Sequence, residues 1–386
     1  MPDRATAAAG GLEVKLAKGI GQVEPAAWDA CVGPDQPFLS HAFLAALEDS
    51  GSASAETGWL PVHLLVEEHG ALLACAPTYL KSHSYGEYVF DWGWANAYER
   101  AGGRYYPKLQ VAVPFTPVPG PRLLVRPDAP HAREVLIQGL LSAAHQLGVS
   151  SLHLTFCREE EWAALGGAGL LQRTGVQYHW HNRGYRDFAD FLDACRSGRR
   201  KTMRKERQRV QEQGLELEAL TGAELSPDIW DVFYPFYLAT VDKRWGNAYL
   251  TKRFFRTLGQ LMPERIVLIM ARHRGRYVAG ALNLRGQDTL YGRVWGCRQE
   301  FEFLHFEACY YQAIDFAIRH GLARVEAGAQ GAHKLQRGYE PTPTYSAHWI
   351  RDPGLRAAVE RFLVQERREM AAELEDLRDV LPYRQA

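Results

Sequence analysis

The sequence predicts an α+β chain of two domains, and three observations carry that expectation. At 386 residues the chain exceeds one ordinary compact domain and suits two. Hydrophobic residues make up 46%, enough for two cores. The order hairpin, third strand, irregular connection, helix, strand occurs once in each half, a duplication of topology rather than of sequence. The expected domains span 12–170 and 171–350, with 351–386 as a helix packing back on them.

In the first half, residues 12–16 open the domain, and Ser40 caps a helix over 41–47. Strands over 60–67 and 71–81 join through Glu68-His69-Gly70. Residues 88–94 are aromatic and read as a strand. A proline-rich passage at 114–121 stiffens the next connection. A helix over 132–147 stops at Gly148, and a strand follows over 151–156.

In the second half, helices are expected over 188–195, 199–213, 230–242 and 251–261, and a strand over 215–220. Residues 265–272, 277–285 and 289–295 form a meander. A helix over 306–320 follows, because Phe306, Tyr310, Ala313 and Ala317 recur on one face and Gly321 ends it. A strand over 323–327 comes next, and a charged helix over 354–377 closes the chain.

The richest stretch is the loop after that strand. Gly328, Gly331 and Gly338 alternate with Gln330, His333, Lys334 and Arg337, a pattern suited to gripping an anion or a polarised carbonyl. His305 and Glu307 open the preceding helix. Two residues apart is about 200° on a helix, so only one of them faces a given point if both are helical. Tyr291, Arg293 and Trp295 alternate on the last meander strand and are expected on one face, lining a cleft. Asp91, Trp92 and Trp94, with Tyr98, Tyr105, Tyr106 and Lys108, form a candidate ligand wall in the first half. A buried Asp91 needs a cation there, from Lys108 or Arg104.

Arg196 to Arg209 holds eight cations against one acid, Glu206. Arg200, Arg204 and Arg207 fall on one helical stripe suited to phosphates, a nucleic-acid backbone or an anionic headgroup, or else to a plain solvated face. The whole chain balances 45 basic against 45 acidic residues, so there is no global polyelectrolyte character. Six scattered cysteines without a C-x-x-C pair argue against a zinc site or a disulfide framework and for the cytoplasm. His179 and His181 share a strand face without a third ligand, so no metal is expected. No apolar run approaches membrane-spanning length, and the first residues lack a signal-peptide core.

With these residues in place, the chain resembles the GNAT acyltransferase architecture, and more specifically the FemAB-like family built of two GNAT-like domains. The phrases that carry the likeness include HLLVEEHGALLACAPTYLK, DWGWANAYERAGGRYYPK, RRKTMRKERQRV and EAGAQGAHKLQRGYEPTPTYSAHW. The Fem peptidoglycan-bridge transferases, which move an amino acid from aminoacyl-tRNA to a cell-wall precursor, are more distant. The resemblance implies two mixed, mostly antiparallel sheets with flanking helices, and acyl transfer to an amine acceptor with no tightly bound cofactor. A CoA-using member carries glycines in the connection after its fourth strand, where backbone N–H groups hold pyrophosphate. Here that connection, residues 296–304, carries Glu300 and Glu302 instead. Aminoacyl-tRNA is therefore the favoured donor, gripped by Arg199, Arg200, Lys201 and Arg204. Acyl-CoA and a non-catalytic recognition protein are the alternatives. In the transfer, Glu307 or His305 takes the proton of the amine, and Lys334 or Arg337 meets the oxyanion.

Overall fold

The computed structural model describes residues 11–244, 248–328 and 331–384. It divides into two units. One comprises the chain up to Gly175 with Pro343–Ala371; the other comprises Val176–Thr342 with the residues from Ala372 onward. Both are built of mixed, mostly antiparallel sheets flanked by helices, the class the sequence predicts.

The first unit begins with β1 (Leu12–Ala17), β2 (Trp59–Pro61), β3 (His63–Glu68), β4 (Ala71–Ala76), β5 (Thr78–Lys81), β6 (Lys108–Val111), β7 (Leu124–Val125) and β8 (Ser151–Cys157). β1, β3, β4 and β7 form an antiparallel sheet in that order. The β3–β4 turn places both His69 (φ 50°) and Gly70 (φ 84°) in the left-handed region, the turn whose twist suits a hairpin. β2, β5, β6 and β8 are neighbours in a second sheet, where β6 and β8 run parallel. The helix Ala132–Gln146 lays Leu136, Ile137 and Leu140 on a core shared with Leu64, Val66, Leu109 and Leu152. Each such side chain contributes roughly 1.5–3 kcal/mol by leaving water.

Two expectations are corrected. The strands over 60–67 and 71–81 each break, at Val62 and at Pro77, so that β2 and β5 join a different sheet from β3 and β4. The aromatic run at 88–94 is not a strand, because a helix, Trp92–Arg100, begins inside it. Trp94 and Ala95 turn inward and Tyr98 packs beside them, a helical spacing that a strand would split between two faces.

The second unit contains the part of β9 (Leu171–His181) from Val176 onward, β10 (Leu215–Leu220), β11 (Ile266–His273), β12 (Arg276–Arg285), β13 (Thr289–Cys297) and β14 (Arg324–Glu326). Their order is β10-β11-β12-β13-β14-β9, antiparallel except for the parallel pair β13–β14. One face carries Val267, Ile269, Ala281, Leu290, Val325 and Trp180 and packs on the helical run 304–319. That run starts two residues earlier than expected and contains a π turn, Glu307–Tyr311. The helix Pro227–Arg244 lies so close to the other face that a Cβ on Gly296 would sit 1.9 Å from the Phe236 carbonyl oxygen. Only glycine fits there.

The chain then returns. β15 (Glu340–Ile350) pairs antiparallel with β8 through Tyr345–Ile350, which draws residues 343–350 into the first unit. The closing helix, Pro353–Asp379, is likewise shared out. Leu355, Val359 and Leu363 pack with Trp94, Tyr105 and Leu171 of the first unit, while Leu377 joins the core of the second. The boundaries of the units fall inside β9, β15 and the closing helix.

Candidate functional site

The parallel pair of the second unit is short. Thr289, Leu290 and Tyr291 of β13 face Arg324, Val325 and Glu326 of β14, and there β14 ends. β13 continues to Cys297, paired only to β12. Its far edge beyond Tyr291 thus leaves the ladder with β14, and such a parting of parallel strands is a common place for a ligand. Gly292 stands at the fork, where a Cβ would lie 3.4 Å from the Glu326 carbonyl oxygen.

A β-bulge follows at once. Asn283 faces Gly292, but the next residue, Leu282, faces Val294, so Arg293 is the extra residue. The expected single face for Tyr291, Arg293 and Trp295 therefore does not form. Tyr291 shares a face with Leu284 and Glu326, whereas Trp295 lies opposite Ala281 on the face that meets the helical run. Alternation read from sequence has no way to register an inserted residue.

On the Trp295 side, the structure gathers several of the expected residues. The Trp295 and His305 rings lie 5.5 Å apart, and His305 and His333 lie 6.3 Å apart. His333 Nε2 shares a hydrogen bond with the Tyr310 hydroxyl at 2.8 Å. Lys334 is 1% exposed and donates from Nζ to the Gly328 carbonyl at 2.9 Å. Burial pushes its ammonium down to about 8. Gln330 lies outside the described residues.

Glu307 and Arg337 are bound elsewhere. Arg207 donates to both Glu307 oxygens (Nε to Oε2 3.1 Å, Nη2 to Oε1 2.9 Å), and Gln312 donates to Oε1 at 2.8 Å. His305 and Glu307 are both helical and meet different neighbours, as their spacing requires. The Arg337 Nη2 reaches both Glu206 oxygens at 2.8 and 3.0 Å, and its guanidinium lies 3.5 Å from the centre of the Phe306 ring. The Tyr311 hydroxyl also donates to Glu206. These pairs tie the basic helix, Ser197–Glu212, to the π turn and to the 332–337 segment.

The basic stripe is consequently divided. Arg207 turns in to Glu307, Arg200 and Arg204 lie 3.1 and 3.7 Å from Asp193, and Arg199 donates to Gln336 at 3.1 Å. Lys201 and Lys205 stay exposed, beside a shallow groove of about 490 Å³ that Arg200, Arg204 and Gln208 also line.

The residue that sequence reasoning missed is Glu326. It is 6% exposed, and its Oε2 has no hydrogen-bond partner among the described residues. Burial pushes its carboxyl up to about 8. The His179 Nε2 is 3.8 Å from that oxygen, and burial pushes the imidazole down to about 3, so it is neutral. A signal existed: Gln177, His179 and His181 alternate with Tyr178 and Trp180, while Arg324 and Glu326 flank Val325. That pattern gives one polar face to adjoining buried strands.

In the first unit, Asp91 and Trp94 are buried, and Lys108 supplies the expected cation. Lys108 Nζ donates to Asp91, to Glu87 Oε2 at 2.7 Å and to Ser84 Oγ at 2.7 Å, while Tyr105 donates to Asp91 at 2.7 Å. Burial alone would raise the Asp91 carboxyl, but Lys108 outweighs it and holds Asp91 well below the usual range. Trp94 meets the His348 ring edge-on at 5.0 Å, whereas Trp92 points outward onto Tyr85 at 4.8 Å.

A family model, FemAB-like, described as peptidoglycan biosynthesis/recognition, matches residues 19–385. The crystal structure of FemX aligns with a TM-score of 0.56 at 11% identity, covering 88% of this chain and 98% of that one. The structure of L-PGS from Bacillus licheniformis aligns with a TM-score of 0.50 at 11% identity, covering 83% and 95%. A tandem GNAT protein from the clavulanic acid biosynthesis pathway aligns with a TM-score of 0.45 at 13% identity, covering 89% and 99%. No curated protein matches the chain.

Proposed function

The chain belongs to the FemAB-like family of peptidoglycan biosynthesis/recognition proteins, and on that premise we propose that it is an N-acyltransferase. It moves an aminoacyl group from charged tRNA to an amine of a cell-wall precursor. The observation that carries this reading is the fork between β13 and β14 with Lys334 beside it. Attack of a neutral amine on an ester carbonyl creates an oxyanion. Preorganised N–H donors in a dry site are worth several kcal/mol to such a charge. Lys334 has three N–H bonds, one of which holds Gly328, so two remain for the oxyanion. Trp295, His305 and His333 line the approach of the reacting groups. Glu307 and Arg337 brace the site through Arg207 and Glu206 rather than touch the chemistry.

The donor grip is the outer face of the basic helix, now reduced to Lys201 and Lys205 with Arg200 and Arg204 beside them. An acyl-CoA donor is the second reading. Against it, residues 296–304 offer no glycine cradle after Gly296, and Glu302 there is bound to Arg209 at 3.1 Å. Titration with a charged tRNA pool and, separately, with acetyl-CoA at fixed moderate salt tests the choice. Saturable tRNA binding is expected. In K201A/K205A the dependence of its logarithm on log salt should flatten by about 1.5. Saturable acetyl-CoA binding without tRNA binding would move the donor to a thioester.

A further inference from the structure

We infer that Glu326 accepts the proton that the attacking amine loses, and is thereby a catalytic residue of the acyl transfer proposed above. This rests on that reading of the activity.

The second unit buries three carboxylates among its described residues: Glu206, Glu307 and Glu326. Glu206 is clamped by Arg337 and Tyr311, and Glu307 by Arg207 and Gln312. Neither has a free position from which to receive a proton. Glu326 differs on every count. It occupies the last paired position of β14, facing Tyr291 across the parallel ladder, so it stands where the strands part, on the sheet face opposite Trp295, and meets an amine that enters the fork from that side. Its Oε2 is buried and has no hydrogen-bond partner among the described residues.

The groups around it are accounted for strand by strand. From β9 come His179 at 3.8 Å, and His181 two pairs further along. From β13 come Tyr291, and Arg293 at electrostatic range. On its own strand, Arg324 is turned to Thr289 Oγ1 at 3.2 Å and lies 3.6 Å from Asp288. No described cation is within ion-pairing distance of Glu326. A carboxyl kept for packing alone would be replaced at lower cost by an amide or an apolar group. Burial instead lifts this carboxyl to about 8, close to working pH, where a proton acceptor is most effective.

The step balances. The amine nitrogen attacks the acyl carbon and the C–N bond forms. One N–H proton passes to Glu326 Oε2. The ester C–O bond breaks, and the leaving ribose oxygen takes up that proton directly or through water, which returns Glu326 to the carboxylate. Oxidants and reductants are not required.

The test is transfer from a charged tRNA pool, and in parallel from acetyl-CoA, to a lysine-containing peptide, followed against pH. E326Q keeps the shape of the side chain. It is expected to lower kcat by roughly 10²–10⁴ with tRNA binding unchanged, and to lose the wild-type rise in rate centred near pH 8. A wild-type kcat and an intact pH limb in E326Q would overturn the assignment and leave the acyltransferase reading standing. If the wild-type chain transfers from neither donor, the reading and the assignment fall together. Should the glutamine chain fail to fold, E326D decides. Its carboxyl is drawn back by one methylene, so kcat should fall at least tenfold and the midpoint should shift. An unchanged kcat and midpoint would sink the idea.

Discussion

The two parallel strand pairs, β6–β8 in one unit and β13–β14 in the other, place polar side chains on a buried sheet face in the same way. Gln110 faces His153 in the first, and Tyr291 faces Glu326 in the second. What surrounds them is opposite. Lys108, fully buried, is answered by both Asp91 and Glu87, and these hold its ammonium above the ordinary range against the pull of burial. No described cation pairs with Glu326, and burial pushes its carboxyl upward toward neutrality. A buried charge met by its counter-ion holds a fold in register; one left unmet is a group available to exchange a proton.

The largest effect expected from this contrast is in the first unit. Lys108→Met leaves Asp91 buried without its cation and Glu87 with only Lys81, at 3.8 Å, and should cost about 3–5 kcal/mol in urea unfolding. Glu326→Gln, which replaces a buried carboxyl that no described cation pairs with, should leave the chain no less stable than wild type at pH 7. Comparable losses from both changes would erase the distinction.

The pH dependence sharpens it, because the two carboxylates carry opposite signs. Asp91 is held low, so its stabilisation is present above the usual carboxylate range and is lost as acid drives the pH down. Glu326 is raised, so its contribution is whole below about 4.5 and declines as pH rises toward about 8, by about 1.4 kcal/mol per unit. Unfolding measured from pH 4 to 9 should show that decline in wild type and its absence in E326Q. Parallel curves for the two chains would contradict the assigned environment.

The smallest expected effect is at the rim of the first unit. Trp92 touches Tyr85 from a half-buried position, so Trp92→Ala should cost less than about 1.5 kcal/mol, checked by thermal melting.

Much of this was legible in the residues. The tight turn at His69-Gly70, the meander of the second half and the helix that follows it all follow from local spacing, and the resemblance to FemAB-like chains agrees with the family match. That a buried Asp91 needs a cation followed from the cost of a buried charge; of the two candidates, Lys108 and Arg104, it is Lys108 that pairs with it. The rest depended on contacts distant in sequence. Arg207 takes Glu307 from 100 residues away, and Glu206 and Arg337 are separated by 131. The bulge at Arg293 reverses the faces after it, a shift that periodicity presumes absent. Glu326 was overlooked because Arg-Val-Glu looks like any half-exposed edge until its burial is known.

The return of β15 to β8 has a consequence for synthesis. A ribosome finishes β8 at Cys157 but does not reach its partner residues until Tyr345. At usual elongation rates that interval is roughly 10–40 s. Throughout it, the nascent first unit presents an open strand edge, the hazard that sheet proteins otherwise cover or blunt. The strand that seals the first unit is thus made only after the whole of residues 158–339.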